Sequence, residues 1–264
     1  MKATVFLGAG RITSALVAGL RLADYDQPII LYDRHPEKLR ELEKLYGIAT
    51  ERNLQQAVRQ AKIIIIAVRP ASVAGLLREI SPVKRPLLAV SLAAGIPVAR
   101  LRLELGSPVR WARAMPSPVC RSRQGLTALA FDRGFPRPAR GEIRDLFARV
   151  GPVLEIPESK FDAFTTAFSP SHGYHALAAL ADAARQLGLA RKTALAAAAH
   201  ALGDAIIAWR EGKVSIEALL HEAATPGGTA AAVMDSMDTA GYRNIVRRGL
   251  AAGIARARRN AKLG

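Results

Sequence analysis

The sequence predicts two domains of different class: a doubly wound parallel α/β domain over residues 1–157 and an all-α domain over 158–264. Three observations carry this. Short apolar runs alternate with helical spacing as far as about residue 155, the pattern of parallel βαβ units. A glycine pair, Gly8-Ala9-Gly10, stands between the first apolar run and the first helical one. Beyond Pro157 no strand pattern remains, and small-residue helices punctuated by glycine take over.

Thr4 to Leu7 has the composition of a strand, and 11–23 has helical spacing. Ile29 to Tyr32 is the second strand, and Pro36 to Tyr46 the next helix, with Pro36 suited to a first helical turn. Ile63 to Val68 is a nearly unbroken β-branched run, as a strand buried on both faces requires. Leu87 to Ser91 and Arg110 to Ala114 continue the sheet. The second domain reads as helices over 176–187, 192–210, 216–223, 230–239 and 242–261. Stretches such as AAAAHAL at 196–202 let helices approach closely but leave little side chain to fill a solitary core. Packing against a second copy of the chain is therefore expected.

Composition narrows the function. Half of the 264 residues are hydrophobic, which suits a globular chain with a sizeable core. A single cysteine, Cys120, rules out a disulfide framework and a cysteine-built metal site, and fits a reducing cytoplasm. No histidine–carboxylate group has metal-ligand spacing, so no metal is expected. MKATVFLGAG reads as a first strand rather than a signal peptide, and IIIIAV is broken by Arg69-Pro70, well short of a membrane span. A cytoplasmic protein without a membrane partner follows. The net charge of +16 attracts phosphate. Its bases are spread along the chain and only 5% of residues are aromatic, so nucleic acid is set aside in favour of an anionic cofactor.

Gly8 and Gly10 follow the first strand and open the first helix, with Arg11 and Ile12 at its start. Glycine there permits the tight turn and lets the backbone reach a pyrophosphate seated on the helix N-terminus. The third glycine of the usual fingerprint is replaced by Thr13, but Asp33 ends the next strand where a ribose-binding carboxylate belongs. This is the pattern of a Rossmann-type dinucleotide site. Asp33 favours NAD, whereas Arg34 and His35 could hold the 2′-phosphate of NADP, and the choice stays open. Val68, Arg69 and Pro70 end another strand at the carboxyl edge, where Arg69 either lines the cleft or is an ordinary solvated arginine.

With these residues in place, the chain resembles the pyrroline-5-carboxylate reductase family along nearly its whole length. The stretches that carry the resemblance are FLGAGRITSALVAGL, AVRP, VSLAAGI, RAMPSP, TPGGTAAAV and GYRNIVRRGLAAGIARA. TPGGT followed by a glycine-aromatic-arginine helix start is the most specific. The resemblance implies a Rossmann domain followed by an all-helical dimerisation domain and a homodimer or higher homo-oligomer. It also implies NAD- or NADP-dependent reduction of a cyclic imine to proline.

The departures fall on the substrate side. The family's MPNTP segment is here Met115-Pro116-Ser117-Pro118, one residue shorter and without the asparagine. Its SGSGPAY helix start becomes FSPSHGY, Phe168 to Tyr174. The threonine pair after the two glycines becomes Thr229-Ala230, and alanine cannot make the hydrogen bond that the resemblance places there. The expected activity is reduction of a cyclic imine that need not be pyrroline-5-carboxylate itself. The alternative is a catalytically reduced nicotinamide-dinucleotide-binding protein with a sensing or regulatory role. A hydroxyl-directed dehydrogenase would want a catalytic lysine, and Lys160 is the only one placed near the hinge.

The resemblance puts the 168–174 helix start against the substrate's ring and carboxylate, and the catalytic candidates are His172, Ser171, Thr225 and Thr229. His172 is titratable near neutral pH and suited to delivering a proton to an imine nitrogen. The competing reading makes Ser169 a helix cap, Pro170 its first turn and His172 an exposed bystander. Trp111 and Cys120 flank the MPSP loop, as site lining or as core.

Overall fold

The computed structural model describes residues 2–263. Its elements run β1 (Ala3–Leu7), α1 (Arg11–Leu22), β2 (Ile29–Tyr32), α2 (Pro36–Tyr46), β3 (Ala49–Thr50), α3 (Leu54–Gln60) and β4 (Ala61–Ile66). Then come α4 (Val73–Ile80), β5 (Leu87–Ser91), α5 (Val98–Glu104), β6 (Val109–Pro116), β7 (Thr127–Phe131), α6 (Arg137–Ala148) and β8 (Val153–Glu155). Helices α7 (Glu158–Ala167), α8 (Ser171–Gln186), α9 (Arg191–Glu211), α10 (Ile216–Ala223), α11 (Thr229–Thr239) and α12 (Tyr242–Leu263) complete the chain.

The eight strands form one sheet in the order β3-β2-β1-β4-β5-β6-β7-β8. Every neighbouring pair is parallel except β6 and β7. The doubly wound domain expected from the sequence is therefore present, with the order reversing beside β1. Alternate residues of the central strands feed two apolar layers. Val5, Leu7, Ile64 and Ile66 pack with Leu76 and Leu77 of α4 and with Trp111 on one face. Phe6, Ile63 and Ile65 pack with Leu16 and Leu20 of α1 and with Ile143 and Phe147 of α6 on the other. A buried side chain of this size contributes about 2 kcal/mol over its exposed state. That two-sided burial is why 63–66 reads as an unbroken run rather than an alternating one.

The chain divides into two compact units. The first runs through Ala167 and resumes at Ala252, and the second is Phe168–Ala251. The division expected at 157/158 thus differs by α7 and by the end of α12, both of which belong to the first unit. Within that unit the end of α12 seats on the loop after β5. Gly95 there has φ 79°, and a Cβ on it would stand 2.6 Å from the Ala257 carbonyl oxygen. The Asn260 side-chain amide donates to the Ala94 carbonyl at 3.4 Å.

A buried charge holds α7 to β6. Arg113 is 1% exposed and reaches Glu158 Oε1 at 3.2 Å and Asp162 Oδ1 at 2.6 Å, with its guanidinium 4.3 Å from the Phe161 ring centroid. Glu158 Oε1 also accepts the Val98 N–H at 3.0 Å, so one carboxylate ties the start of α7, the start of α5 and β6 together.

The second unit is all helix, as expected, with α8 packed along α9. Its buried apolar residues, among those described, are three alanines: Ala181, Ala194 and Ala198. Leu195, Ile206, Ile207, Trp209, Val233 and Ile245 are all exposed in the single chain. Among the described residues, no helix is long and apolar enough to cross a membrane.

Candidate functional site

The turn between β1 and α1 is built by Gly8. Its φ is 115°, and a Cβ would stand 2.7 Å from the Ala67 carbonyl oxygen, so strand β4 and this turn can meet only at glycine. Its N–H continues the sheet by donating to the Tyr32 carbonyl at 2.8 Å. Thr13, where the fingerprint would have its third glycine, is fully buried and donates its hydroxyl to the Gly8 carbonyl at 2.6 Å. The substitution therefore ties the loop to the helix instead of loosening it.

Gly10 is the N-cap of α1, in extended conformation, and makes no side-chain capping bond. Nothing of the protein lies within 4 Å of where its Cβ would be. The fold itself does not demand glycine here; close approach of a ligand to the backbone would. The amides of Arg11 and Ile12 begin the helix with no acidic residue in the first turn, which leaves the N-terminus able to receive an anion.

Asp33 latches the loop from the end of β2. Its Oδ2 accepts the Ala9 N–H at 2.7 Å, and its Oδ1 accepts the His35 N–H at 2.9 Å and lies 3.0 Å from His35 Nδ1. Burial pushes the carboxyl up, but the Ala9 and His35 hydrogen bonds and nearby Lys38 outweigh it and hold it below the ordinary carboxylate value. Asp33 is thus ionised at neutral pH, and His35 Nδ1 must donate to it. The latch works above the ordinary carboxylate range and is lost as pH falls through the lowered value.

These groups open onto a cleft of about 570 Å³ lined by Gly8, Gly10, Asp33, Arg34, Val68 and Arg69, along with Tyr32, His35, Lys38, Ala67, Ser72 and Leu76. Six of the nine cofactor candidates are in that lining; Arg11, Ile12 and Pro70 are not. Arg69 is exposed and lines the cleft, which joins the two readings left open for it. Lys38, Ser72 and Leu76 went unnoticed in the sequence. Lys38 lies five residues after Asp33, in the first turn of α2, and Ser72 and Leu76 are four apart on α4 and its lead-in.

The remaining candidates belong to the second unit. Ser171 and His172 open α8 and are exposed; the cap position falls to Pro170 rather than Ser169, without a side-chain capping bond. The Ser169 and Ser171 hydroxyls are 2.7 Å apart, and the His172 N–H donates to the Ser169 carbonyl at 3.2 Å. Thr229 opens α11 behind its N-cap Gly228, whose N–H donates to the Thr225 carbonyl at 2.9 Å. These hydrogen bonds hold each pair in its own helix start. Trp111 is fully buried with its indole N–H on the Leu105 carbonyl at 2.8 Å, and Cys120 is buried too, so both are core. Lys160 is exposed on α7.

Residues 4–95 match a family model described as NADP oxidoreductase, coenzyme F420-dependent, and residues 158–260 match one described as pyrroline-5-carboxylate reductase dimerisation. The pyrroline-5-carboxylate reductase of Corynebacterium melassecola is 29% identical over 250 residues, covering 92% of this chain and 93% of that one. The solved Coxiella burnetii pyrroline-5-carboxylate reductase superposes with a TM-score of 0.87 at 24% identity, over 98% of both chains. Over nearly its whole length the chain is similar to pyrroline-5-carboxylate reductases. A Plasmodium falciparum pyrroline carboxylate reductase solved with NADP bound has a TM-score of 0.88 at 20% identity, over 98% of both chains. The first family model spans β1 to β5 of the sheet, and the second spans α7 to α11 and most of α12.

Proposed function

We propose that the protein is an NAD(P)H-dependent reductase of a cyclic imine, the reaction class its relatives' names describe. The observation that carries this is the β1–α1 turn: Gly8 forced by the fold, Gly10 left open by it, and Asp33 latching the loop between them. A cleft with that turn and four basic side chains, Arg34, His35, Lys38 and Arg69, suits an anionic dinucleotide. A reduced nicotinamide bound there supplies hydride to the imine carbon. The chain's own part is to seat the pyrophosphate on α1, to hold the imine's anionic group, and to deliver a proton to nitrogen. Backbone N–H groups at the start of α8 and of α11, with the Ser171, Thr225 and Thr229 hydroxyls, are the proposed anion donors. His172 is the proposed proton donor.

Titrating NADH and NADPH separately by nicotinamide fluorescence tests the cleft, and a panel of cyclic imines that includes 1-pyrroline-5-carboxylate tests the reaction. His172→Ala should lower turnover by more than ~10-fold while leaving dinucleotide affinity and unfolding midpoint near wild type. Full activity of that variant on the best imine found would remove the histidine from the mechanism.

The second unit is proposed to pair with a second copy of itself. Three buried alanines are too small a core for five helices, and the exposed Ile206, Ile207, Trp209 and Val233 supply the apolar surface that a partner would cover. Sedimentation at micromolar concentration should give at least a dimer; a stable folded monomer there would contradict the pairing.

A further inference from the structure

Arg34 follows Asp33 directly at the end of β2 and lines the cleft. Its Nη2 donates to the carboxylate of Glu79, one turn of α4 beyond the cleft-lining Leu76. The Glu79 hydrogen bond and charge, with a smaller contribution from Tyr32, raise the Arg34 pKa. The end of α4 is itself fixed, because the Gln55 side-chain amide donates to the Glu79 carbonyl. Asp33, the residue that would ordinarily choose between the two dinucleotides, has both oxygens engaged in the Ala9 and His35 bonds of the loop.

A 2′-phosphate is recognised best by the planar fork of an arginine, through charge-assisted and often bidentate bonds. Arg34 is the guanidinium at the position where such a phosphate is read in this kind of site. In this chain that guanidinium is already paired. A 2′-phosphate has to compete with Glu79 for its donors and its charge, whereas an unphosphorylated ribose leaves the pair undisturbed. We propose that Glu79 sets the dinucleotide preference, biasing the cleft against NADPH by competing for Arg34.

The inference rests on the dinucleotide reading of the cleft and specifies which member of the class it takes. The test is a set of fluorescence titrations of NADH and NADPH against wild type, Glu79→Gln, Arg34→Ala and the double variant. Both side chains are more than half or half exposed, 60% and 50%, so the variants should fold, and thermal unfolding checks this. Glu79→Gln should tighten NADPH roughly three- to fivefold, the size of one exposed ion pair, and move NADH less than about twofold. In the Arg34→Ala background the same substitution should have no effect on the NADPH-to-NADH ratio. An unchanged ratio in Glu79→Gln overturns the proposal. So does a shift that persists without Arg34, since that would be the general effect of removing a negative charge beside a cationic cleft. If wild type binds neither dinucleotide, the reading of the cleft itself falls, a result distinct from binding both with an unresponsive ratio.

Discussion

Gly8→Ala should abolish dinucleotide binding and cost about 3 kcal/mol of folding stability, whereas Gly10→Ala should lose the binding alone. The two glycines stand two residues apart in one turn, yet the fold asks different things of them. At Gly8 the backbone has φ 115°, outside the range that an L side chain adopts without strain. A methyl there would also press on the Ala67 carbonyl, which belongs to the segment leading out of β4 and cannot retreat without breaking the sheet. At Gly10 the conformation is extended and the space around a Cβ is empty. Alanine is a poorer N-cap than glycine, but by only about 0.5 kcal/mol. What it blocks is the approach of a phosphate to the α1 backbone, and a loss of tenfold or more in dinucleotide affinity is expected. Urea unfolding and fluorescence titration of the two variants separate these effects. If Gly10→Ala binds as wild type does, no phosphate group lies against that turn.

Arg113→Ala should destabilise the first unit by about 3 kcal/mol. The truncation removes a side chain that is 1% exposed and leaves Glu158 and Asp162 without their cation. Those carboxylates are about one-third exposed, at 30% and 35%, so water can partly rescue them and the cost stays at the low end for a broken buried pair. The Phe161 ring also loses the guanidinium above it. Arg113→Met separates the contributions, because it fills most of the volume over Phe161 and restores no charge. Chemical denaturation of both variants measures the split. Should Arg113→Met match wild type within about 0.5 kcal/mol, packing alone accounts for the residue and the ion pairs contribute nothing.

The parts of this fold that were legible in the sequence are those whose cause is local. The Ile63–Ile66 run states its burial in its own composition, and the Gly8-Ala9-Gly10 turn states its shape. Strand β7 was missed because three of the five residues of Thr127–Phe131 are alanine or threonine and the strand lies outside the parallel βαβ rhythm, paired antiparallel to β6. β3 has only two residues, too few to show a period. α8 begins at Ser171 rather than Ala176, because serine, histidine and glycine in its first turn hide a start that alanine then makes obvious. Arg113 offered no sign of burial, since its partners stand 45 and 49 residues further along the chain. The pairing of Arg34 with Glu79 spans 45 residues and was invisible for the same reason. On the candidate site, the residues of the phosphate turn could be read from spacing; the neighbours that set its charge could not.

Cys120 has a practical consequence. It is the chain's one cysteine, buried in the Pro118–Ser122 turn that packs on α1, and burial pushes its thiol up to about 11. At any ordinary working pH it is therefore neutral and closed to thiol reagents. The native protein offers a silent background for labelling chemistry. A Tyr174→Cys variant would carry one addressable thiol, exposed in the first turn of α8, without any need to remove the natural one first. A fluorophore or spin label attached there could follow ligand arrival at that helix directly, independent of turnover.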